Sequence, residues 1–214
     1  MTYDGLIFDL DGTLWDAAAA STRGWNASLA ELGLSSRVSI AGIRSVSGTP
    51  FERCVEILLP ELRPLPAATL RALEAHERMA LESSGGTLFP DVAAGVRELA
   101  GVYPLFLVSN CSDWYLEVFL RTSGLRDCLT GWDCHGSSGS PKSGMLLALV
   151  ETHRLKHAVY VGDTRGDKES AEAAGMEFAF ARYGFGETDA PSLAFDSFGE
   201  LVDFFVQAGR PRER

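Results

Sequence analysis

Two aspartates stand one residue apart in residues 8 to 14 (FDLDGTL), at the end of an apolar run over residues 6 to 8. If that run is a buried strand, Asp9 and Asp11 lie where the chain leaves a sheet, and open parallel sheets bind ligands there. One carboxylate of such a pair can attack phosphorus while the other donates and accepts protons. Asp-Gly is also the commonest kind of hairpin turn, so the motif alone leaves that alternative open. A calcium loop is excluded, because its required glycine would fall on Leu14.

Two further polar segments have residue types that bind phosphate. Ser109 and Asn110 follow the apolar run at residues 105 to 108, and their hydroxyl and backbone N–H groups can hold phosphate oxygens. Lys142 begins a helical stretch, where its ammonium can balance the negative charge of a phosphate and nearby carboxylates. A helix cap and a solvated surface lysine are the ordinary alternatives for these segments.

The fourth segment, residues 162 to 167 (GDTRGD), follows an apolar run at residues 158 to 161. Magnesium is a hard cation that prefers oxygen ligands, and carboxylates leaving a strand next to Asp9 would complete a magnesium site. Asp163 and Asp167 are therefore candidate metal ligands. An acidic turn that caps the next helix is the ordinary alternative.

The residues before Lys142 nearly spell the phosphate-binding loop of nucleotide hydrolases, because Gly136 precedes Lys142 and Ser143. Pro141 stands where that signature needs glycine, and it lacks the N–H group that the phosphate cradle uses. Residues 132 to 135 (WDCH) also make a poor buried strand. The sequence therefore argues against this loop.

Each polar segment has an ordinary explanation when it is taken singly, but all of them occur in order at predicted strand and helix ends. Such a convergence of carboxylates, a hydroxyl and a lysine predicts phosphoryl transfer through an aspartyl-phosphate.

The elements that must position these residues follow from short, unbroken apolar runs, which are typical of strands buried on both faces of a parallel sheet. The runs lie at residues 6 to 8, 105 to 108, 158 to 161 and 178 to 180. Helical stretches lie between them, around residues 91 to 100, 113 to 123, 143 to 153 and 167 to 174. The alternation predicts an α/β fold with a parallel sheet.

Residues 16 to about 84 break this alternation, because their apolar residues recur at helical spacing, as Trp25, Leu29 and Leu32 do. We predict a small, hinged helical domain at residues 16–85, inserted after the first strand, and a main α/β core formed by residues 1–15 and 86–214. Residues 83 to 86 (SSGG) are expected to be a flexible return. The alternative is an ordinary helical layer packed on the sheet.

Composition restricts the partners of this 214-residue chain. Its net charge of −10 lacks the basic surface that binds nucleic acid, so we expect none as a partner. The absence of an apolar run of membrane-spanning length, and of a basic start typical of a signal peptide, predicts a cytoplasmic protein with no membrane contact. The four cysteines form no CxxC pair, which fits reduced thiols. We expect a monomer or weak homodimer that acts on a small phosphorylated metabolite.

At these motifs the chain resembles the haloacid dehalogenase superfamily, in its phosphoglycolate phosphatase-like branch. The resemblance rests on residues 9 to 13 (DLDGT), Ser109, Lys142, and Gly162 and Asp163 with Asp167, and it spans almost the whole chain in order. It implies a Rossmann-like core with an α-helical cap inserted after the first motif.

The resemblance also implies roles for individual residues. Asp9 would be the nucleophile, Asp11 the general acid and base, Ser109 a phosphate ligand and Lys142 the charge balancer. Mg²⁺ would be held by the Asp9 carboxylate, the Asp11 carbonyl and Asp163, with Asp167 in or just behind the first shell. Contacts to the substrate are expected from Gly12, Thr13, Ser109, Asn110, Lys142 and Arg44.

The sequence thus predicts a Mg²⁺-dependent phosphatase of small phosphate monoesters, phosphoglycolate-like compounds or sugar phosphates. Asp11 favours phosphate chemistry over carbon-halogen cleavage, because the dehalogenases of the superfamily lack this second aspartate. Two alternatives stay open: a phosphomutase of the β-phosphoglucomutase kind, and a binding module that uses the cap to hold a protein. Arg44 lies in the candidate specificity loop at residues 44 to 50, where it could bind a substrate carboxylate.

Overall fold

The computed structural model describes residues 3 to 209 and contains a six-stranded sheet with helices on both faces. The strands, in chain order, are β1 (Gly5–Phe8), β2 (Trp15–Asp16), β3 (Thr87–Leu88), β4 (Leu105–Ser109), β5 (Gly131–Cys134), β6 (Ala158–Gly162), β7 (Glu177–Ala181) and β8 (Leu193–Phe195). The large sheet has the order β5-β4-β1-β6-β7-β8, and every pair in it is parallel. The α/β fold predicted from the sequence is confirmed.

The helices are α1 (Ala18–Glu31), α2 (Ile40–Val46), α3 (Phe51–Leu58), α4 (Ala67–Ser84), α5 (Val92–Ala100), α6 (Asp113–Thr122), α7 (His135–Ser138), α8 (Lys142–His153), α9 (Arg165–Ala173) and α10 (Phe198–Gly209). The four helices predicted for the core correspond to α5, α6, α8 and α9. No helix between residues 3 and 209 is both long and apolar enough to cross a membrane.

The central strands are apolar on both faces because each face carries its own helical layer. In β1, Leu6 and Phe8 pack into one buried cluster with helices α5, α6 and α10. Ile7 points to the opposite face and packs into a second cluster with α8 and α9. Successive side chains of a strand point to opposite faces, so a strand covered on both sides needs an unbroken apolar run.

Strand β5 is an addition to the sheet predicted from the sequence. The residues before Gly136 make a poor buried strand by their sequence, yet Gly131–Cys134 pairs with β4. The strand lies at the outer edge of the sheet, where Trp132 is 38% exposed. An edge strand needs no continuous apolar run, which is why the sequence pattern does not reveal it.

Helices α1 to α4 follow β2 and precede β3 in the chain, where the sequence predicts a helical insertion. They form a layer of their own. Their apolar side chains, including Trp25, Leu29 and Leu73, make a buried cluster distinct from the two clusters on the sheet. The chain enters and leaves this segment through β2 and β3, which pair antiparallel. Ser83 and Ser84 continue α4, so the expected return over residues 83 to 86 begins only at Gly85. The domain limits at residues 15/16 and 85/86 stay a prediction.

Gly24 lets α1 and α4 approach closely. A Cβ atom built on Gly24 would lie 2.6 Å from the Glu77 Cα and 2.6 Å from the His76 carbonyl oxygen, both backbone atoms of α4. Glycine in a helix interior costs about 1 kcal/mol relative to alanine, so close packing is the physical reason for its position here.

We expect Gly24→Ala to lower the free energy of unfolding by about 1 to 3 kcal/mol, the usual cost of overpacking a buried contact. Urea unfolding followed by tryptophan fluorescence measures this, because Trp25 is in the same helix. Gly144→Ala in α8 is the matched control. A Cβ there would meet its nearest neighbour at 3.6 Å, so that variant should be neutral or more stable. Equal stability of the two variants would contradict the close-approach argument.

Candidate active site

The carboxyl ends of three parallel strands lie side by side, because β1 pairs with β4 on one side and with β6 on the other. Asp9 follows β1, Ser109 ends β4 and Asp163 follows β6, so all three reach the same edge of the sheet. Lys142 is the first residue of α8 and reaches the same edge. The segments selected in the sequence therefore come together in space.

Lys142 is buried between two aspartates. Its Nζ donates hydrogen bonds to Asp9 Oδ1 at 2.9 Å and to Asp167 Oδ1 at 2.6 Å, and the residue is 4% exposed. Burial lowers the pKa of Lys142, but the charges of Asp167 and Asp9 outweigh burial and raise the pKa above its ordinary value. The ammonium therefore stays charged and balances the two carboxylates.

The Asp9 carboxylate is completely buried, and only one of its oxygens is occupied. Burial raises the pKa of Asp9 to about 6, although the Lys142 charge lowers it. The Asp9 backbone N–H donates to the Val161 carbonyl at 2.8 Å, which fixes the residue against β6. Within residues 3 to 209, Asp9 Oδ2 has no hydrogen-bond partner.

Asp163 is oriented by the loop that follows β7. Its Oδ2 accepts backbone hydrogen bonds from Phe185 at 2.7 Å and Gly186 at 3.2 Å. Burial and the neighbouring charges of Asp167 and Asp9 raise the pKa of Asp163 to about 7. Its other oxygen, Oδ1, is buried without a hydrogen-bond partner in the described part of the chain.

Both carboxylate oxygens of Asp167 are already occupied. Oδ1 accepts from Lys142 and, at 3.3 Å, from the Tyr160 hydroxyl. Oδ2 accepts from the Thr164 hydroxyl at 2.6 Å and from the Thr164 backbone N–H at 3.0 Å. The latter bond, with the 3.1 Å bond from the Asp167 N–H to the Thr164 hydroxyl, forms the capping box of α9. Asp167 therefore serves as a helix cap as well as a partner of Lys142.

The carboxylate cluster fits a hard divalent cation. Asp9, Asp163 and Asp167 each place an oxygen within 4.8 Å of the others. Two of these residues, Asp9 and Asp163, each have a buried oxygen without a hydrogen-bond partner among the described residues. Such oxygens suit Mg²⁺, which prefers carboxylate ligands. The occupied oxygens of Asp167 favour a place behind the first ligand shell.

Asp11 lies close to Asp9 but in a different environment. It is half-buried, and its Oδ1 accepts a 2.7 Å hydrogen bond from the Tyr115 hydroxyl. Burial raises the pKa of Asp11 to about 8, even though the Tyr115 hydrogen bond lowers it. A carboxyl group with this pKa retains its proton at neutral pH, as a general acid must.

The residues expected to bind phosphate border the same edge. Ser109 is 3% exposed, and its hydroxyl accepts from the Cys111 N–H at 3.3 Å. The Thr13 hydroxyl is buried and has no partner within residues 3 to 209. Gly12 adopts a φ of 81°, and a Cβ there would lie 2.1 Å from Asp163 Oδ2, so only glycine fits.

Asn110 and Arg44 make contacts that the sequence does not indicate. The Asn110 side chain donates to the Gly48 carbonyl at 2.8 Å and so joins the core to the helical segment. Arg44 forms an ion pair with Asp16 and lies over the Phe185 ring, with its guanidinium carbon 5.2 Å from the ring centre. The role of Arg44 in binding a substrate carboxylate stays a prediction, and these contacts do not support it.

Some residues that form hydrogen bonds to the carboxylates of the motifs were not predicted from the sequence. Tyr115 binds Asp11 from helix α6, and Tyr160 binds Asp167 from within an apolar strand run. An aromatic residue in an apolar helix or strand is ordinarily a core residue, so nothing in the sequence pattern assigns Tyr115 or Tyr160 to the site. Thr164 directly precedes α9, and a capping-box pattern would have identified it.

The sequence of this chain is similar to those of known hydrolases and phosphatases. A sequence model described as haloacid dehalogenase-like hydrolase matches residues 6–181. A phosphoglycolate phosphatase of Yersinia pestis is 28% identical over 217 residues, covering 97% of this chain and 94% of that protein. A probable phosphatase, IndB, of Dickeya dadantii is 30% identical and covers 92% of this chain and 91% of its own length.

Solved structures show the same fold. The crystal structure of a predicted phosphoglycolate phosphatase from Haemophilus somnus superposes with a TM-score of 0.81 at 19% sequence identity. The superposition covers 95% of this chain and 98% of the other chain.

We expect Lys142→Met to reduce the free energy of unfolding by about 3 to 5 kcal/mol in metal-free buffer, because it leaves buried carboxylates without their cation. Denaturant unfolding at neutral pH in the presence of a chelator measures the loss. The control is Lys156→Met, at an exposed position, which should change stability by no more than about 0.5 kcal/mol. If both variants are as stable as the wild type, Lys142 is not the compensating charge.

Proposed function

The chain belongs to the haloacid dehalogenase-like hydrolase family, and on this basis we propose that it is a phosphatase that hydrolyses small phosphate monoesters through an aspartyl-phosphate on Asp9. The observation that carries the proposal is the buried Asp9 carboxylate, held on one side by Lys142 and unpartnered on the other within residues 3 to 209. We also propose that the protein is cytoplasmic and that it is a monomer or a weak homodimer.

In the first step the Asp9 carboxylate attacks the phosphorus atom. A bond forms between an Asp9 oxygen and phosphorus while the bond from phosphorus to the substrate alcohol breaks. Lys142 holds the carboxylate at the end of β1 by a 2.9 Å hydrogen bond, so little reorganisation is needed before attack. The product of this step is an aspartyl-phosphate and a free alcohol.

Asp11 supplies the proton that the leaving alkoxide needs. Its raised pKa keeps it protonated, and the Tyr115 hydroxyl occupies Oδ1 and so orients the carboxyl group. In the second step Asp11 takes a proton from the water that attacks phosphorus, and the bond to Asp9 breaks to release inorganic phosphate. One carboxyl group thus serves both half-reactions.

The phosphate oxygens would be held by Ser109, Thr13 and the backbone that follows β4, with Lys142 as the balancing charge. Mg²⁺ would be bound by Asp9, Asp163 and the Asp11 carbonyl, with Asp167 behind them. When bound, the cation would draw charge from the phosphate and so ease attack by an anionic carboxylate. The unpartnered oxygens of Asp9 and Asp163 support this assignment.

The test is a panel of alkyl and aryl phosphates with Mg²⁺, assayed on the wild type and on Asp9→Asn. The amide is nearly isosteric but cannot attack phosphorus, so the variant should keep its fold and lose turnover to below about one part in a thousand. Asp203→Asn, at an exposed position of α10, is the matched control and should keep full activity. No turnover of any ester by the wild type would refute the phosphatase proposal, and an active Asp9→Asn would place the nucleophile elsewhere.

Asp11→Asn should separate the two half-reactions. p-Nitrophenolate leaves readily without a proton, so the first step should survive with p-nitrophenyl phosphate, whereas the second step still lacks its base. We expect a rapid burst of about one nitrophenolate per active site, followed by slow release, in rapid-quench or stopped-flow traces. An alkyl phosphate should show no burst, since its alkoxide needs the proton. Equal losses with both esters and no burst would mean that Asp11 is not the shared acid and base.

A further inference from the structure

A small cavity lies between the helical segment and the carboxyl edge of the sheet. It has a volume of about 70 Å³, and the residues bordering it include Asp11 and Ser109 of the core. A cavity of about 150 Å³ holds a benzene molecule, so this one has room for only a few non-hydrogen atoms. Because Asp11 would protonate the leaving oxygen, the rest of the leaving alcohol extends into this cavity.

Four aromatic side chains are among the residues that line the cavity, beside small polar and aliphatic ones. Trp25 and Phe51 of the helical segment pack edge to face, with ring centres 5.5 Å apart. Trp114 and Tyr115 of α6 pack in the same way at 5.6 Å. Aromatic faces attract cations, because the ring quadrupole is negative above the plane.

The charged side chains that line the cavity are both acidic, Asp11 and Glu77, and no lysine or arginine of residues 3 to 209 is among its lining residues. Glu77 is 6% exposed, and its carboxylate accepts a 2.9 Å hydrogen bond from the Trp25 indole. Arg44, the residue that the sequence suggests for binding a carboxylate, is paired with Asp16 and does not line the cavity.

A buried carboxylate with only neutral donors lacks the cation that would offset its loss of water. Burial raises the pKa of Glu77 and hydrogen bonds from Ser21 and Trp25 lower it, while the neighbouring charge of Glu74 raises it further. A second carboxylate brought into this space would add like-charge repulsion. A bound ammonium would favour the ionised form of Glu77 and pair with it.

We infer that the cavity receives a leaving alcohol that carries a primary ammonium group bound by Glu77 and the aromatic rings, so that the substrate is a short aminoalkyl phosphate. This inference rests on the proposed function, which places the phosphate at Asp9. It assigns Glu77 as a specificity residue and makes a carboxylate-bearing ester, such as phosphoglycolate, a poor substrate for this chain.

The experiment compares kcat/KM for 2-aminoethyl phosphate, 2-hydroxyethyl phosphate and phosphoglycolate with the wild-type protein and Mg²⁺. The amino and hydroxy esters have the same size, so their ratio isolates the charge. We expect the amino ester to be preferred over the hydroxy ester by at least about tenfold, the scale of one hydrogen bond to a charged group, and over phosphoglycolate by more.

Glu77→Gln keeps the size of the side chain and an acceptor for the Trp25 indole, and it should bring the amino-to-hydroxy ratio close to one. Glu82→Gln is the matched control. Glu82 is an exposed acid on the same helix that pairs with Arg78, and it does not line the cavity. That variant should keep the wild-type ratio.

The outcomes are distinguishable. Turnover with a wild-type ratio near one, or with phosphoglycolate as the best of the three esters, overturns the ammonium inference and leaves the phosphatase proposal standing. The ammonium inference is equally overturned if Glu77→Gln folds and keeps the wild-type ratio. The wild-type comparison decides the question even if Glu77→Gln does not fold. No turnover of any of these three esters overturns the inference, and the panel of alkyl and aryl phosphates then decides whether the proposed function fails with it.

Discussion

The Lys142 ammonium lies between the carboxylates of Asp9 and Asp167 in a place that water does not reach, and the arrangement of the site depends on this contact. Parallel strands bring acidic residues to one edge of the sheet, where burial makes every negative charge costly. A charged lysine at the start of α8 offsets part of that cost and fixes one oxygen of Asp9. Helix α8 must therefore pack where its first residue can reach the end of β1.

Two glycines of the site allow the backbone to pass very close to Asp163. A Cβ on Gly12 would lie 2.1 Å from Asp163 Oδ2, and one on Gly184 would lie 2.3 Å from the Asp163 Cβ. The first motif and the loop after β7 thus close on the same carboxylate from two sides. The Tyr183 hydroxyl adds a 3.0 Å hydrogen bond to the Thr13 carbonyl and joins these two loops directly. The tight packing leaves Asp163 a single free oxygen among the described contacts.

The core and the helical segment divide the chemistry. The core edge carries the groups that we propose to act on phosphate, and these come from segments joined to the sheet. The helical segment covers this edge and contributes Trp25, Phe51 and Glu77 to the adjoining cavity. Because Gly24 lets α1 and α4 approach closely, Trp25 and Glu77 can meet across the two helices. In the proposed function, reaction type and leaving-group preference therefore rest on different parts of the chain.

The sequence by itself determined the parts of the structure that depend on local pattern. Unbroken apolar runs revealed the strands, since a strand covered on both faces needs such a run, and the polar residue types at their ends predicted phosphate chemistry. Runs of helical spacing revealed the insertion after β1. These features need only neighbours in the chain, so a single sequence displays them.

Only the tertiary structure decided which distant residues meet. Tyr115 reaches Asp11, and Glu77 meets Trp25, across long stretches of chain, and neither residue differs in type or spacing from an ordinary helix residue. Arg44 of α2 pairs with Asp16 of β2, a contact that no sequence periodicity reports. Strand β5 is held at the edge by backbone hydrogen bonds to β4, and such bonds leave little trace in side-chain pattern. Contacts of this kind depend on packing between elements, and so they appear only when the chain is folded.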